Sequence, residues 1–216
     1  MSARRTAQVR GRGMAVAALT LALFLTSCAA TASAGAAATV GDLEISNDTV
    51  TTQVNAVQQA KLGSSGMPDA ALVNDVLQRL VITDLVSVAA QRTGVSATQG
   101  QVDQARAAAE AQLGGPGSLI KAFLDSNVPE GAIDDQLRTS VLVQLLGAAL
   151  VPGTDVQAQQ QAVFEYVVAL SDELGTQVSP RYGTWDAQNL QIGPVPSDLS
   201  TPQAAEDPLA SLVPAG

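Results

Sequence analysis

The chain has no histidine and only one cysteine among its 216 residues. Without an imidazole there can be no Ser-His-Asp or Cys-His nucleophile, no His-Glu-x-x-His zinc site and no histidine general base. A lone cysteine cannot form a disulfide within the chain. Basic residues are also scarce: eleven Lys and Arg face twenty Asp and Glu, and four of the eleven (Arg4, Arg5, Arg10 and Arg12) lie in the first thirteen residues. Beyond position 28 seven bases face twenty acids, so that portion carries a net charge of −13. Such a body repels phosphate backbones, and its few cations are scattered, which argues against nucleic acid as a partner. It argues equally against an electrostatic hold on anionic lipid. No Gly-rich phosphate loop is present, because Gly114-Gly115-Pro116-Gly117 lacks a following Lys and a preceding strand. What remains for catalysis is carboxylates. The pairs Asp134-Asp135 and Asp172-Glu173 are sequence neighbours on expected helices, so their side chains point about 100° apart and belong on solvated faces. The expectation is a protein that is not an enzyme, with no cofactor, no metal and no small-molecule substrate.

What is present begins with export. The four arginines are followed by an uncharged apolar run, Met14 to Phe24, which together read as a signal peptide. The run is too short for the roughly 20 residues a helix needs to cross a bilayer. Directly after it stands Leu25-Thr26-Ser27-Cys28. This resembles a bacterial lipobox, which implies cleavage before Cys28, diacylglyceryl transfer to its thiol and retention on the outer face of the cytoplasmic membrane. Two acyl chains, each gaining about 0.8 kcal/mol per buried methylene, anchor where one chain is marginal. The alternative is ordinary secretion, with Ala32-Ser33-Ala34 as the small-x-small site and Gly35 as the new N-terminus.

The expected organisation is a signal peptide over 1–27, an alanine-rich tether over 28–38, a mainly α domain over 39–190 and a disordered acidic, Pro-rich tail over 191–216. Within the domain, Thr39 to Ile45 reads as a hairpin turning at Gly41-Asp42, with Val40, Leu43 and Ile45 as its apolar positions. Ser46 caps a helix carrying Val50, Val54 and Val57. Pro68 suits the first turn of a second, more apolar helix that ends at Gly94 and should be the buried centre. Ser96-Ala97-Thr98-Gln99 is a capping box for a helix over 97–113 with Val102, Ala105, Ala109 and Leu113 on one stripe. A short helix with Leu119, Ile120, Phe123 and Leu124 follows. The next is longer, with an Ile133, Leu137, Val141, Leu145, Ala149 ridge that stops at Pro152-Gly153. The last helix, 155–174, turns Val156, Val163, Val167, Leu170 and Leu174 inward. The β-prone run Val178 to Asp186 holds Tyr182 and Trp185, and is expected to pair with the hairpin and bring the two ends of the domain into one core.

This order of residues resembles the N-terminal domain of SurA and PrsA type chaperones. The resemblance is carried by the hairpin with its Ile45-Ser46 cap, Arg79-Leu80-Val81 through Ala89-Ala90-Gln91-Arg92-Thr93-Gly94-Val95, Ser96 to Asp103, a phenylalanine-bearing helix leading to Asp135-Gln136-Leu137-Arg138, and the closing run Ser179 to Asp186. It implies a small β element formed by the N-terminal hairpin and a C-terminal strand, and a holdase or foldase for unfolded exported polypeptides. Many relatives insert a parvulin prolyl-isomerase domain before the last helix. Here only Val151-Pro152-Gly153-Thr154 stands in that place, which implies no isomerase activity. An apolar groove for clients would draw on Met67, Leu119, Phe123, Leu124 and Val128, near the glycine-rich breaks, unless these are ordinary core. A different class of function, a helical scaffold lipoprotein that binds one folded partner, remains open beside it.

Overall fold

In the computed structural model, the described residues are 35–63 and 68–196, all within one compact unit. They form a mainly helical fold with a small antiparallel β element. Strands β1 (Ala36–Val40) and β2 (Leu43–Ser46) make the hairpin, with Val40 opposite Leu43 across Gly41-Asp42. Strand β1 begins inside the stretch expected to be a tether. As the middle strand of the order β2-β1-β3 it is covered by helices, and Ala37 and Ala38 are fully buried. Alanine has too little apolar character for a local pattern to reveal this, so packing decides it.

Six helices follow among the described residues: α1 (Asn47–Leu62), α2 (Ala70–Thr93), α3 (Gln99–Leu113), α4 (Pro116–Asp125), α5 (Ile133–Leu150) and α6 (Val156–Glu173). Ser46 caps α1, its Oγ accepting from Thr49 N at 3.1 Å, and Val50, Val54 and Val57 are buried. Asp69 rather than Pro68 opens α2, accepting from Ala71 N, so Pro68 stands just outside the helix. The capping box of α3 is Thr98 with Gln101, not Ser96 with Gln99. Both pairs fit the same spacing, and the structure selects the later one.

Helix α2 lies between β1, α1, α5 and α6 and buries Val76, Leu77, Val81, Leu85, Val86, Ala89 and Ala90. These join Val40, Ile45, Val50, Val54, Leu142, Leu146, Val163, Val167 and Leu170 in one core. A second, smaller core gathers Val102, Leu119, Val128, Ala132, Ile133 and Leu137. Helix α5 spans both. Its expected ridge holds only in part: Ile133, Leu137 and Val141 are buried, Leu145 is half-buried and Ala149 is exposed. Steps of four residues drift about 40° each around a helix of 3.6 residues per turn, so the core-facing side passes to Leu142 and Leu146. Val156, expected inside, is 67% exposed at the first turn of α6.

The C-terminal run pairs with the hairpin over a shorter stretch than expected. Strand β3 (Gln177–Val178) aligns antiparallel to β1, with Val178 opposite Ala38, and Ser179 N donates to Ala37 O at 2.8 Å. Pro180 has no N–H to continue the ladder. The chain then turns and forms a separate ribbon, β4 (Thr184–Asp186) with β5 (Gln191–Gly193). Residues 191–193 are therefore part of the fold and not of a tail. Tyr182 Oη donates to Asn47 Oδ1 at 2.8 Å, tying the run to the foot of the hairpin, whereas Trp185 Nε1 donates to Ser171 Oγ of α6 at 2.8 Å.

The ribbon needs a glycine at its close approach. A Cβ on Gly183 would stand 2.1 Å from Gly193 O, and its φ of +134° is one that L side chains rarely adopt. Gly183→Ala should destabilise the fold by about 2 kcal/mol or more. In thermal unfolding that corresponds to a Tm fall of at least ~4 °C. An unchanged Tm would show that the ribbon does not contribute to the cooperative unit.

Candidate functional site

The groove residues expected from sequence separate into three groups. Met67 lies outside the described residues, as does Cys28 with Leu25, Thr26 and Ser27. Leu119 and Val128, at 0% and 4% exposure, are core and not groove. Leu119 sits in the first turn of α4 and Val128 where the chain reverses between α4 and α5, and the second core closes over both. Asn127 takes φ +60° at that reversal, and Val128 N donates back to Phe123 O at 2.9 Å. Phe123 and Leu124 are half-buried, Phe123 against that same core.

The structure places an open cleft elsewhere, between α3 and α5, with a volume of about 480 Å³. Helix α3 contributes Gln101, Gln104, Ala105, Ala108, Ala109 and Gln112. Helix α5 contributes Leu137, Ser140, Val141, Gln144 and Leu145. The floor is alanine and branched aliphatic carbon, and the polar groups are amides and one hydroxyl. None of these residues is charged, although the chain is strongly acidic. A glutamine amide both donates and accepts, so such walls can satisfy a peptide backbone in more than one register.

The charges of the two helices lie beside the cleft. Arg106 donates to Asp134 Oδ1 at 2.7 Å and stands 3.7 Å from Glu110. Its guanidinium is held protonated more firmly than usual, first by the hydrogen bond to Asp134. Arg138 donates to Gln99 Oε1 at 2.7 Å and to Ala97 O at 3.3 Å. These contacts tie the N-terminal parts of α3 and α5 together from outside the cleft lining.

A smaller cleft of about 220 Å³ lies between α2 and the other side of α5, lined in part by Asp75, Arg79, Thr83, Gln136 and Thr139. Arg79 donates to Gln53 Oε1 of α1, and burial lowers its pKa, an effect partly offset by the field of Asp135. Gln136 Oε1 is buried here without a hydrogen-bond partner. Two neighbouring acids at the surface each have a partner: Glu173 accepts from Arg92 at 2.8 Å and Asp172 from Gln188 at 3.0 Å. Among the described residues no group of three or more His, Cys, Asp or Glu side chains is placed to hold a metal ion, and no helix is long and apolar enough to cross a membrane.

No protein-family model, curated protein or solved structure matches the chain. The functional reading therefore rests on the chemistry of the clefts.

The expected stripe of Val102, Ala105, Ala109 and Leu113 holds for the first three, which pack in or against the second core, while Leu113 is exposed, and the cleft between α3 and α5 was missed. A signal was nevertheless present. Gln101, Gln104, Ala105, Ala108 and Gln112 recur at i, i+3, i+4, i+7 and i+11, an uncharged helical stripe, whereas Asp103, Arg106 and Glu110 carry the helix's charges on another side. The stripe is too weakly apolar to mark itself as a buried or binding face.

If Leu119 is core and Ala108 is cleft, their substitutions separate. Leu119→Ala should cost about 2–5 kcal/mol in urea unfolding through the cavity it leaves. Ala108→Asp, on an exposed helix position, should change stability by no more than about 0.5 kcal/mol. Equal losses from both would place Ala108 in the core.

Proposed function

We propose that the chain is an extracytoplasmic lipoprotein, held to the cytoplasmic membrane through Cys28, whose helical domain binds unfolded or nascent exported polypeptides as a holdase or foldase without prolyl-isomerase activity. The observation that carries this reading is the charge-free, alanine-floored cleft between α3 and α5. Transient binding of many non-native segments needs apolar surface with adaptable polar edges, not a fixed constellation of catalytic groups. A cleft of this size accepts a few side chains at a time, which suits weak, reversible capture. The Ala and Gln walls present short or flexible side chains that can repack around different clients. The SurA and PrsA resemblance in the order of elements supports the same reading. So does the single Pro-Gly connection between α5 and α6, where Gly147 lies close to Gln159 and an inserted domain would have to stand.

The holdase activity is tested by light scattering during aggregation of a reduced, unfolded exported protein, in the presence of residues 32–216, which contain all the described residues. Aggregation should be suppressed at several-fold excess. Ala108→Asp should weaken suppression about tenfold, equivalent to ~1.4 kcal/mol of binding, by placing an unpaired charge over the cleft floor. No suppression by the parent protein would reject the reading.

Anchoring is tested in cells. Cys28→Ala should leave unprocessed precursor or release protein from the membrane fraction, and mass spectrometry of the parent should find a diacylated Cys28 at the mature N-terminus. Normal processing and membrane retention of the variant would defeat the lipoprotein assignment.

A further inference from the structure

We infer that the cleft between α3 and α5 selects apolar segments flanked by Lys or Arg. This rests on the proposal that the cleft holds non-native polypeptide, and it names which polypeptide. The interior of the cleft carries no charge, so it offers nothing to pair a charged residue seated on its floor, and that residue would lose its water there. The part of a client that enters is therefore apolar or neutral-polar. The part that leaves the cleft passes over the outer surfaces of α3 and α5, where the charges are.

Those surfaces are negative. Helices α3 and α5 together carry four acids (Asp103, Glu110, Asp134 and Asp135) and two bases (Arg106 and Arg138). Both bases are already engaged: Arg106 with Asp134 and Glu110, and Arg138 with Gln99 and the Ala97 carbonyl. Asp103 is exposed and meets a neutral amide, accepting from Gln99 Nε2 at 2.9 Å. Asp135 is exposed as well, and its field reaches Arg79. Across the described residues, these two helices included, seventeen acids face seven bases. At physiological ionic strength charges act over about 8 Å, so the excess acids on the outer faces of α3 and α5 act on the flanks that leave the cleft, and the rest of the body steers encounter. Cationic flanks gain on both counts, and anionic flanks are repelled.

The experiment measures fluorescence anisotropy of three labelled peptides that share one Leu- and Ala-rich core and differ only in their flanks: Lys, Ser or Asp. Each is titrated with residues 32–216 at low and at high salt. The Lys-flanked peptide should bind about tenfold more tightly than the Asp-flanked one at low salt, with the Ser-flanked peptide between, and the ratio should fall to roughly twofold or less near 0.5 M salt. Asp103→Lys, a surface change outside the cleft lining, should narrow the low-salt ratio while leaving the Ser-flanked peptide unaffected. Equal binding of all three peptides, or tighter binding of the Asp-flanked one, overturns the charge selectivity and leaves the cleft reading standing. Binding of none overturns both.

Discussion

The pairing of Ala38 and Thr39 with Val178 and Gln177 is the contact on which the rest of the structure depends. It joins residues about 140 positions apart in the chain, and all six helices of the described residues lie between them. A loop of that length costs only slightly more to close than one half as long, because closure entropy grows with the logarithm of length. What the pairing must supply is a buried place for the strand. The alanines of β1 supply it: Ala37 and Ala38 take almost no volume, so α2 can lie directly against the middle strand while β2 and β3 satisfy its backbone groups on either side.

With the ends joined, α2 becomes the axis of the larger core, and α1 and α6 are held against it. Helix α5 runs on beyond that core, and its first two turns have nothing of the larger core to cover them. The second core is the answer to that exposed face: Ile133 and Leu137 of α5 meet Val102, Leu119 and Val128. Because the second core is small, it covers only one end of the α3–α5 contact. The cleft opens along the two helices beside it, with Leu137, Ala105 and Ala109 shared between the second core and the cleft lining. Its uncharged lining and the tying of Arg106 and Arg138 at its sides then determine what it can hold. The smaller cleft by Arg79 arises in the same way on the other side of α5, where α2 and α5 part around buried polar groups.

Local chemistry in the sequence carried much of the fold. The Ser46 cap, the Gly41-Asp42 turn, the Gly94 stop and the valines of α1 are each a short-range decision made by side-chain hydrogen bonding, positive φ or helical periodicity. Where two local signals were equivalent, as with Ser96-Gln99 and Thr98-Gln101, the sequence could not choose. Strand β5 was not legible at all, because its three residues pair with a partner only through the absence of a side chain at Gly183. Trp185 illustrates the same limit: it was expected with the hairpin, but its half-buried indole donates to Ser171 of α6.

The amino-acid sequence by itself determined the absence of imidazole chemistry and of a disulfide within the chain, the acidic balance, the helical character and most helix ends, because these depend on composition or on neighbours within one turn. Only the tertiary structure decided that the alanines at the end of the expected tether are a central strand, that Leu119 and Val128 are core, and that an Ala and Gln stripe lines an open cleft. Alanine and glutamine carry too little hydropathy to reveal their surroundings. Their roles depend on which helix lies opposite, and that is settled by distant contacts and not by adjacent residues.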